Sequence, residues 1–231
     1  MLISSSHSII PACDVDLPMF ERILAETADI DGVSSYKIGF VLALRYGLPT
    51  VVKTARKYTN KPIIYDHQKA ATDIPDTGKA FAKVCKDAGV DVVILFPHTG
   101  PQTEKEWISA AQAEKLGVIV GGMMSHAMYK HSEGGYIADE SIDKIYLLAA
   151  ECGVTDFVVP GNKPSEIKRI YNLLVAQNMN PTFYSPGFIS QGGGVSGISE
   201  IVPCDFHAII GRGIYESENI REVALSYVNQ I

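Results

Sequence analysis

The sequence has one tryptophan, four cysteines with no CxxC pair, no surplus of basic residues and no low-complexity tract. Each scarcity excludes a class of function. Lysine and arginine total 20 against 26 aspartates and glutamates, a net charge of -6. Without a basic surface, counterion release cannot drive binding to nucleic acid or to an anionic membrane, so neither is expected as a partner. No window reaches the roughly 18 consecutive apolar residues that a membrane-spanning helix needs. Cys13, Cys85, Cys152 and Cys204 are widely spaced, which reads as buried free thiols in a reducing cytoplasm. The opening MLISSSHSIIPACDVD has no basic region ahead of its short apolar stretch, so it does not read as a signal peptide, and a cytoplasmic location is expected.

The chain does have the apolar content for a large core: 46% hydrophobic against 20% charged over 231 residues. This length permits two small domains, but α/β barrels of this size are routinely one. Eight short apolar runs read as strands: 8–13, 34–40, 62–66, 91–96, 117–123, 156–160, 182–186 and 207–211. Segments of helical period lie between them, among them LALRYGLPTVVKTARKY, a short piece near 196–202 and IYESENIREVALSYVNQ. KDAGV, EKLGV and AECGV each step from helix to strand through a glycine, as a C′ position favours. Continuous rather than alternating apolar strands imply a parallel sheet covered on both faces. A single (β/α)8 barrel domain over 1–231 is therefore expected, with a doubly wound open sheet as the competitor, since periodicity does not show closure.

Barrel active sites gather at the C-terminal ends of the strands, and those ends are chemically loaded here. Asp14 follows the first run, Lys37 lies within the second, and Asp66, Lys69 and Asp73 close the third. Ser125 and His126 follow the fifth, Pro186 and Gln191 the seventh, Gly211 and Arg212 the eighth. PGFISQGGG and IIGRG are glycine-rich loops after strands 7 and 8, where backbone N–H groups, Arg212 and a short helix N-terminus suit a phosphate. Lys37 in an apolar strand needs a carboxylate, from Asp14 or Asp66, with Lys69 as a second cation. A structural salt-bridge layer plugging the barrel is one reading of these charges; a catalytic array whose pKa values are set by mutual charge is the other. His126 and His131 have no third ligand at helical spacing, so no metal site is expected. His67 beside Asp66 suits either a relay or a supporting hydrogen bond, and Trp107 reads as a packing group.

The chain resembles the orotidine 5′-phosphate decarboxylase family over nearly its whole length. ACDVD, YKIG, the Asp66/Lys69/Asp73-Ile-Pro block, MSH at 124–126, SPGFISQGG at 185–193 and IIGRGIY at 209–215 carry the resemblance, in that order. It implies a (β/α)8 barrel that decarboxylates orotidine 5′-phosphate to uridine 5′-phosphate in pyrimidine biosynthesis, with no cofactor, as a homodimer with shared sites. By the same resemblance Asp14 and Lys37 contact the ribose, and Lys37, Asp66, Lys69 and Asp73 form an alternating charge network. Asp73, with Ile74 and Thr77, serves the neighbouring subunit's site. Ser125 meets the pyrimidine and Pro186 borders it. Gln191, within the Gly187 to Gly192 loop, bridges base and phosphate, and Gly211 and Arg212 hold the phosphate.

One departure stands out. The family pattern is Asp-x-Lys-x-x-Asp, whereas this chain has Asp66-His-Gln-Lys69-Ala-Ala-Thr-Asp73, one residue longer in each gap. Either the strand end bulges or another residue takes part. Two other functions suit a similar block: a Mg²⁺-dependent keto-sugar-phosphate decarboxylase or aldolase of the same barrel superfamily, and a non-catalytic nucleotide-phosphate sensor. The first normally needs a metal-binding Glu and Asp pair, for which no clear candidate follows strand 2. The second has no need of both Lys37 and Lys69.

Overall fold

The computed structural model describes residues 2–187 and 201–231, with Lys69 through its backbone. Eight parallel strands pair in chain order and close into a barrel: β1 (His7–Cys13), β2 (Tyr36–Ile38), β3 (Ile63–Ala70), β4 (Val92–Leu95), β5 (Gly117–Gly121), β6 (Asp156–Val158), β7 (Thr182–Pro186) and β8 (Phe206–Ile210). The β1–β8 ladder, from His7↔Phe206 to Pro11↔Ile210, makes the closure and rules out the open sheet. Around it run α1 (Leu17–Thr27), α2 (Phe40–Tyr46), α3 (Leu48–Ala55), α4 (Thr77–Asp87), α5 (Pro101–Ala113), α6 (Asp139–Glu151), α7 (Pro164–Val175), α8 (Arg212–Tyr215) and α9 (Ile220–Val228).

Two expected helices are each split. Gly47 adopts φ 76° and Pro49 stands in the first turn that follows, so the chain stops one helix and starts another. After α8, Asn219 accepts a hydrogen bond from the Glu222 N–H and begins α9 afresh. Gly89 and Gly153 take the left-handed positions after their helices, but after α5 it is Lys115, at φ 57°, that does so. Gly117 instead opens β5, where a Cβ would come within 2.6 Å of Leu2 Cδ2. The short helix expected near 196–202 falls almost entirely outside the described residues. The third strand also differs: expected over 62–66, it runs on to Ala70 and takes part of the charged block with it.

Strand parity sorts the core. Ile9 and Cys13 pack outward against helices, while Ile10, Ile64, Ile94, Ile119, Val158 and Ile209 point into the barrel. Lys37 is in register with Ala12 on one side and Ile64 on the other. Asp14 and Asp66, each two residues further along an adjacent strand, thus point inward one layer above it. The polar layer lower in the barrel is a different one from the layer the sequence suggested. Ser8 Oγ meets His207 Nδ1 at 2.7 Å, and Tyr184 Oη donates to Asp156 Oδ1 at 2.9 Å. Leu2 and Ile3 pack with the barrel interior beneath it.

Trp107 packs on Phe81, ring centroids 4.9 Å apart, and Gly78 gives it room, since a Cβ there would sit 2.8 Å from the indole. On the same helix Glu104 is buried, and its Oε1 has no hydrogen-bond partner among the described residues. Burial pushes its carboxyl up from 4.5 to about 8. Between those values the folded state holds a proton that the unfolded chain releases, so stability falls as pH rises through that window. Burial lowers His207 from 6.5 to about 4, which acts in the opposite sense below pH 6.5. From pH 6.5 to 8 only Glu104 of the two contributes, and urea unfolding should show a loss of roughly 2 kcal/mol. Glu104→Gln should abolish that loss; an unchanged slope in the variant would place its origin elsewhere.

Candidate active site

A cavity of about 730 Å³ opens at the C-terminal ends of the strands. Asp14, Lys37, Asp66, Ser125, Pro186, Gly187, Gly211 and Arg212 all line it, so these expected residues from six strands and the following loops do converge. Its deeper wall is apolar, with Ile94, Phe96, Met123, Val158 and Ile209. An apolar chamber with a few convergent charges suits a flat heterocycle carrying polar appendages.

Lys37 anchors the polar corner. Its side chain is only 7% exposed; Nζ lies 3.1 Å from Asp66 Oδ2 and 3.7 Å from Asp14 Oδ2. Burial alone would lower the ammonium pKa, but Asp66 and then Asp14 outweigh it and hold the group above its ordinary value. Lys37 therefore stays charged at any physiological pH. Asp66 Oδ1 accepts the Gln68 N–H at 2.9 Å, so both carboxylate oxygens are engaged and the carboxylate is fixed in orientation. Asp14 Oδ1 is turned toward Gly39, where a Cβ would lie 2.2 Å from it; only glycine leaves that carboxylate its place.

The longer spacing of the charged block has a backbone explanation. Tyr65 pairs with Val93 and Ala70 with Leu95, so five steps along β3 span two along β4. Two non-glycine residues are left-handed in this stretch, Gln68 at φ 56° and Ala71 at φ 67°. One falls between Asp66 and Lys69, the other between Lys69 and Asp73. Each longer gap thus contains one left-handed residue, as in bulges that take up an added residue. Of the two alternatives the sequence left open, the bulge is present, and Gln68 lines the cavity as well. The only sequence signal for Gln68 was the spacing itself. His67 is exposed, and its Nδ1 meets Tyr65 Oη at 2.5 Å, a supporting bond rather than a relay to Asp66.

Asp73, Ile74 and Thr77 do not line this cavity. They sit on the turn into α4, with Asp73 exposed and Ile74 60% exposed. The turn is held from beneath: Thr103 Oγ1 donates to the Asp73 carbonyl at 2.9 Å and Trp107 Nε1 to the Ile74 carbonyl at 3.1 Å. Gln191 and Gly192 lie outside the described residues, as does the Lys69 side chain.

The opposite wall is supported by groups the sequence did not single out. Tyr146 Oη accepts the Met123 N–H at 3.1 Å and donates to the Val158 carbonyl at 2.7 Å, bridging the ends of β5 and β6. Asn162 Nδ2 donates to the Ser125 carbonyl at 3.0 Å. Beside them Gly187, expected from the sequence, needs its hydrogen side chain, at φ 100°. Tyr215 borders the cavity beside Gly211; burial first, and the Asp14 carboxylate second, hold its phenol above the ordinary value. Asn162 lies in a loop whose spacing carries no signal of its own, while Tyr215 ends α8 within the IIGRGIY motif.

Comparison with known proteins agrees with this geometry. The family model for orotidine 5′-phosphate decarboxylase / HUMPS matches residues 12–227. Orotidine 5′-phosphate decarboxylase of Methanococcus maripaludis is 30% identical over 209 residues, covering 90% of this chain and 89% of that protein. The Methanosarcina mazei enzyme of the same name is 30% identical, with 86% and 84% covered. The crystal structure of the Methanocaldococcus jannaschii decarboxylase complexed with the inhibitor BMP superposes with a TM-score of 0.82 at 28% identity, covering 96% of this chain and 97% of that one. With the barrel, the cavity and the Asp14–Lys37–Asp66 array in place, the chain belongs to the orotidine 5′-phosphate decarboxylase / HUMPS family.

Proposed function

We propose that this protein, as one (β/α)8 domain, converts orotidine 5′-phosphate to uridine 5′-phosphate and CO2 without a cofactor. The observation that carries the reading is the buried Lys37 held between Asp14 and Asp66 in one cavity with Arg212, within a chain matched to the family over residues 12–227. The decarboxylase name is shared by the curated relatives in the comparison.

In this reading Gly211 and Arg212 hold the phosphate, Gln191 bridges it to the base with Gly192 as a further substrate contact, and Asp14 and Lys37 take the ribose hydroxyls. Ser125 hydrogen-bonds the pyrimidine, while Pro186 and Gly187 border it. Asp66 faces the substrate carboxylate, and the like-charge repulsion is relieved as CO2 leaves. The C6–carboxylate bond breaks with its electron pair left on C6, the Lys69 ammonium delivers the proton that makes the new C6–H bond, and neutral Lys69 regains a proton from solvent. Phosphate contacts remote from C6 supply the binding energy that orients the ring. Asp73, Ile74 and Thr77 complete the site of a second subunit, which makes the working unit a homodimer, and the expected location is the cytoplasm.

The test is the loss of the orotidylate ultraviolet band on adding purified protein in excess EDTA. Full turnover is expected; none would end the decarboxylase reading. EDTA-sensitive turnover of a keto-sugar phosphate would instead favour a Mg²⁺-dependent decarboxylase or aldolase of the same barrel superfamily.

A further inference from the structure

We propose that Gln68 is a positioning residue, a side-chain clamp that ties the bulge of β3 to the start of α2 and so fixes Asp66 and Asp14 around Lys37. The inference rests on the decarboxylase reading for its kinetic test, and on geometry alone for its structural one.

The argument begins at Asp14. Its Oδ1 occupies the space where residue 39 would carry a Cβ, so residue 39 is glycine. Glycine is then the N-cap of α2 and has no side chain to receive the free N–H groups of the first turn. Gln68 supplies the acceptor from a different strand: the Phe40 N–H donates to Gln68 Oε1 at 3.2 Å. Because the partner is a backbone donor, the amide oxygen is the atom that faces it, and the Gln68 NH2 group is left for other partners.

The same residue grips the array through its backbone. Its N–H donates to Asp66 Oδ1 at 2.9 Å, while Asp66 Oδ2 takes Lys37 Nζ at 3.1 Å. Gln68 holds φ 56°, a left-handed conformation that is unfavourable for a residue with a Cβ. Such a conformation persists where surrounding bonds over-determine it, and here a backbone bond to Asp66 and a side-chain bond to Phe40 do so. Asp14 displaces the Cβ of residue 39, glycine forfeits the cap, and Gln68 restores it from the bulge that aims Asp66. Removing the side-chain half of the clamp frees both α2 and the bulge, and a misplacement of about 1 Å at a reacting group costs on the order of 100-fold in rate.

The experiment compares Gln68→Met, which keeps the length and loses the acceptor, with Gln68→Glu, which keeps an oxygen for the Phe40 N–H. Steady-state kinetics on orotidine 5′-phosphate and amide hydrogen exchange of the first turn of α2 are read on both variants and the parent. Gln68→Met should lose at least roughly 10-fold in kcat with KM within about threefold, and its α2 amides should exchange faster. Gln68→Glu should keep parental exchange and regain most of kcat. Its added charge beside Asp66 and Asp14 should move the acid limb of the kcat pH profile upward. Parental kcat and exchange in Gln68→Met would overturn the clamp, as would equal losses in the two variants. A change in KM alone would also overturn it, by marking Gln68 as a direct substrate contact. If the parent itself fails to turn over orotidine 5′-phosphate, the decarboxylase reading fails while the exchange data still decide whether the clamp exists.

Discussion

Lys69→Ala should bind uridine 5′-phosphate nearly as the parent does, yet lose at least roughly 10⁴-fold in kcat, since two contributions vanish together. A placed general acid is worth about 10² to 10⁴, and a preorganised charge at the reacting centre about 10² to 10³. Binding should survive because the proposed phosphate grip at Gly211 and Arg212 and the Asp14–Lys37–Asp66 corner do not depend on residue 69. The backbone gives the reason to choose this lysine. It stands in β3 between the two left-handed residues Gln68 and Ala71, three residues beyond the inward-pointing Asp66. Single-turnover kinetics with calorimetric titration of the product nucleotide separate the two effects. Weakened product binding with kcat preserved would make Lys69 a binding group, and a near-parental rate would put the proton donor elsewhere.

Much of the site was legible because strand parity and strand termini are written in residue order. Ala12, Lys37 and Ile64 fall in register, so a cation flanked by Asp14 and Asp66 is a direct consequence of alternation in parallel strands. Gly211 and Arg212 were equally legible, since a strand followed at once by Gly-Arg-Gly leaves little choice of location. The bulge of β3 was legible only as an anomaly of spacing. Whether an added residue loops out, extends the strand or turns left-handed depends in part on the bond from Phe40, which lies 28 residues away in sequence. The helix break at Gly47 was missed because apolar periodicity continues across it. Tyr146 and Asn162 act through hydrogen bonds to backbone carbonyls on other elements, and such bonds leave no pattern in sequence.

Mixing the Asp73→Ala and Arg212→Ala proteins, each with at most a small residual rate, should restore roughly a quarter of the parental activity per subunit once exchange is complete. The figure follows from symmetry: about half of the dimers are hybrid, and each hybrid holds one site with Arg212 from one chain and Asp73 from the other. The support is that the turn carrying Asp73, Ile74 and Thr77 stands apart from the cavity of its own chain while being rigidly held. Asp73 Oδ1 receives the Ile74 N–H at 2.8 Å, Thr77 Oγ1 donates to the Ile74 carbonyl at 2.8 Å, and Thr99 and Thr103 both reach the Asp73 carbonyl. A turn fixed so fully, yet presenting a 60% exposed isoleucine to solvent, is suited to a surface that becomes buried on assembly. Phe40 and Leu44, 43% and 77% exposed, lie on α2 after the neighbouring strand and are further exposed apolar surface. Subunit exchange is verified independently, by native mass spectrometry of differently tagged chains. If hybrids form and activity stays at the level of the separate variants, Asp73 does not act across the interface, and the shared-site homodimer would have to be abandoned even with the decarboxylase activity intact.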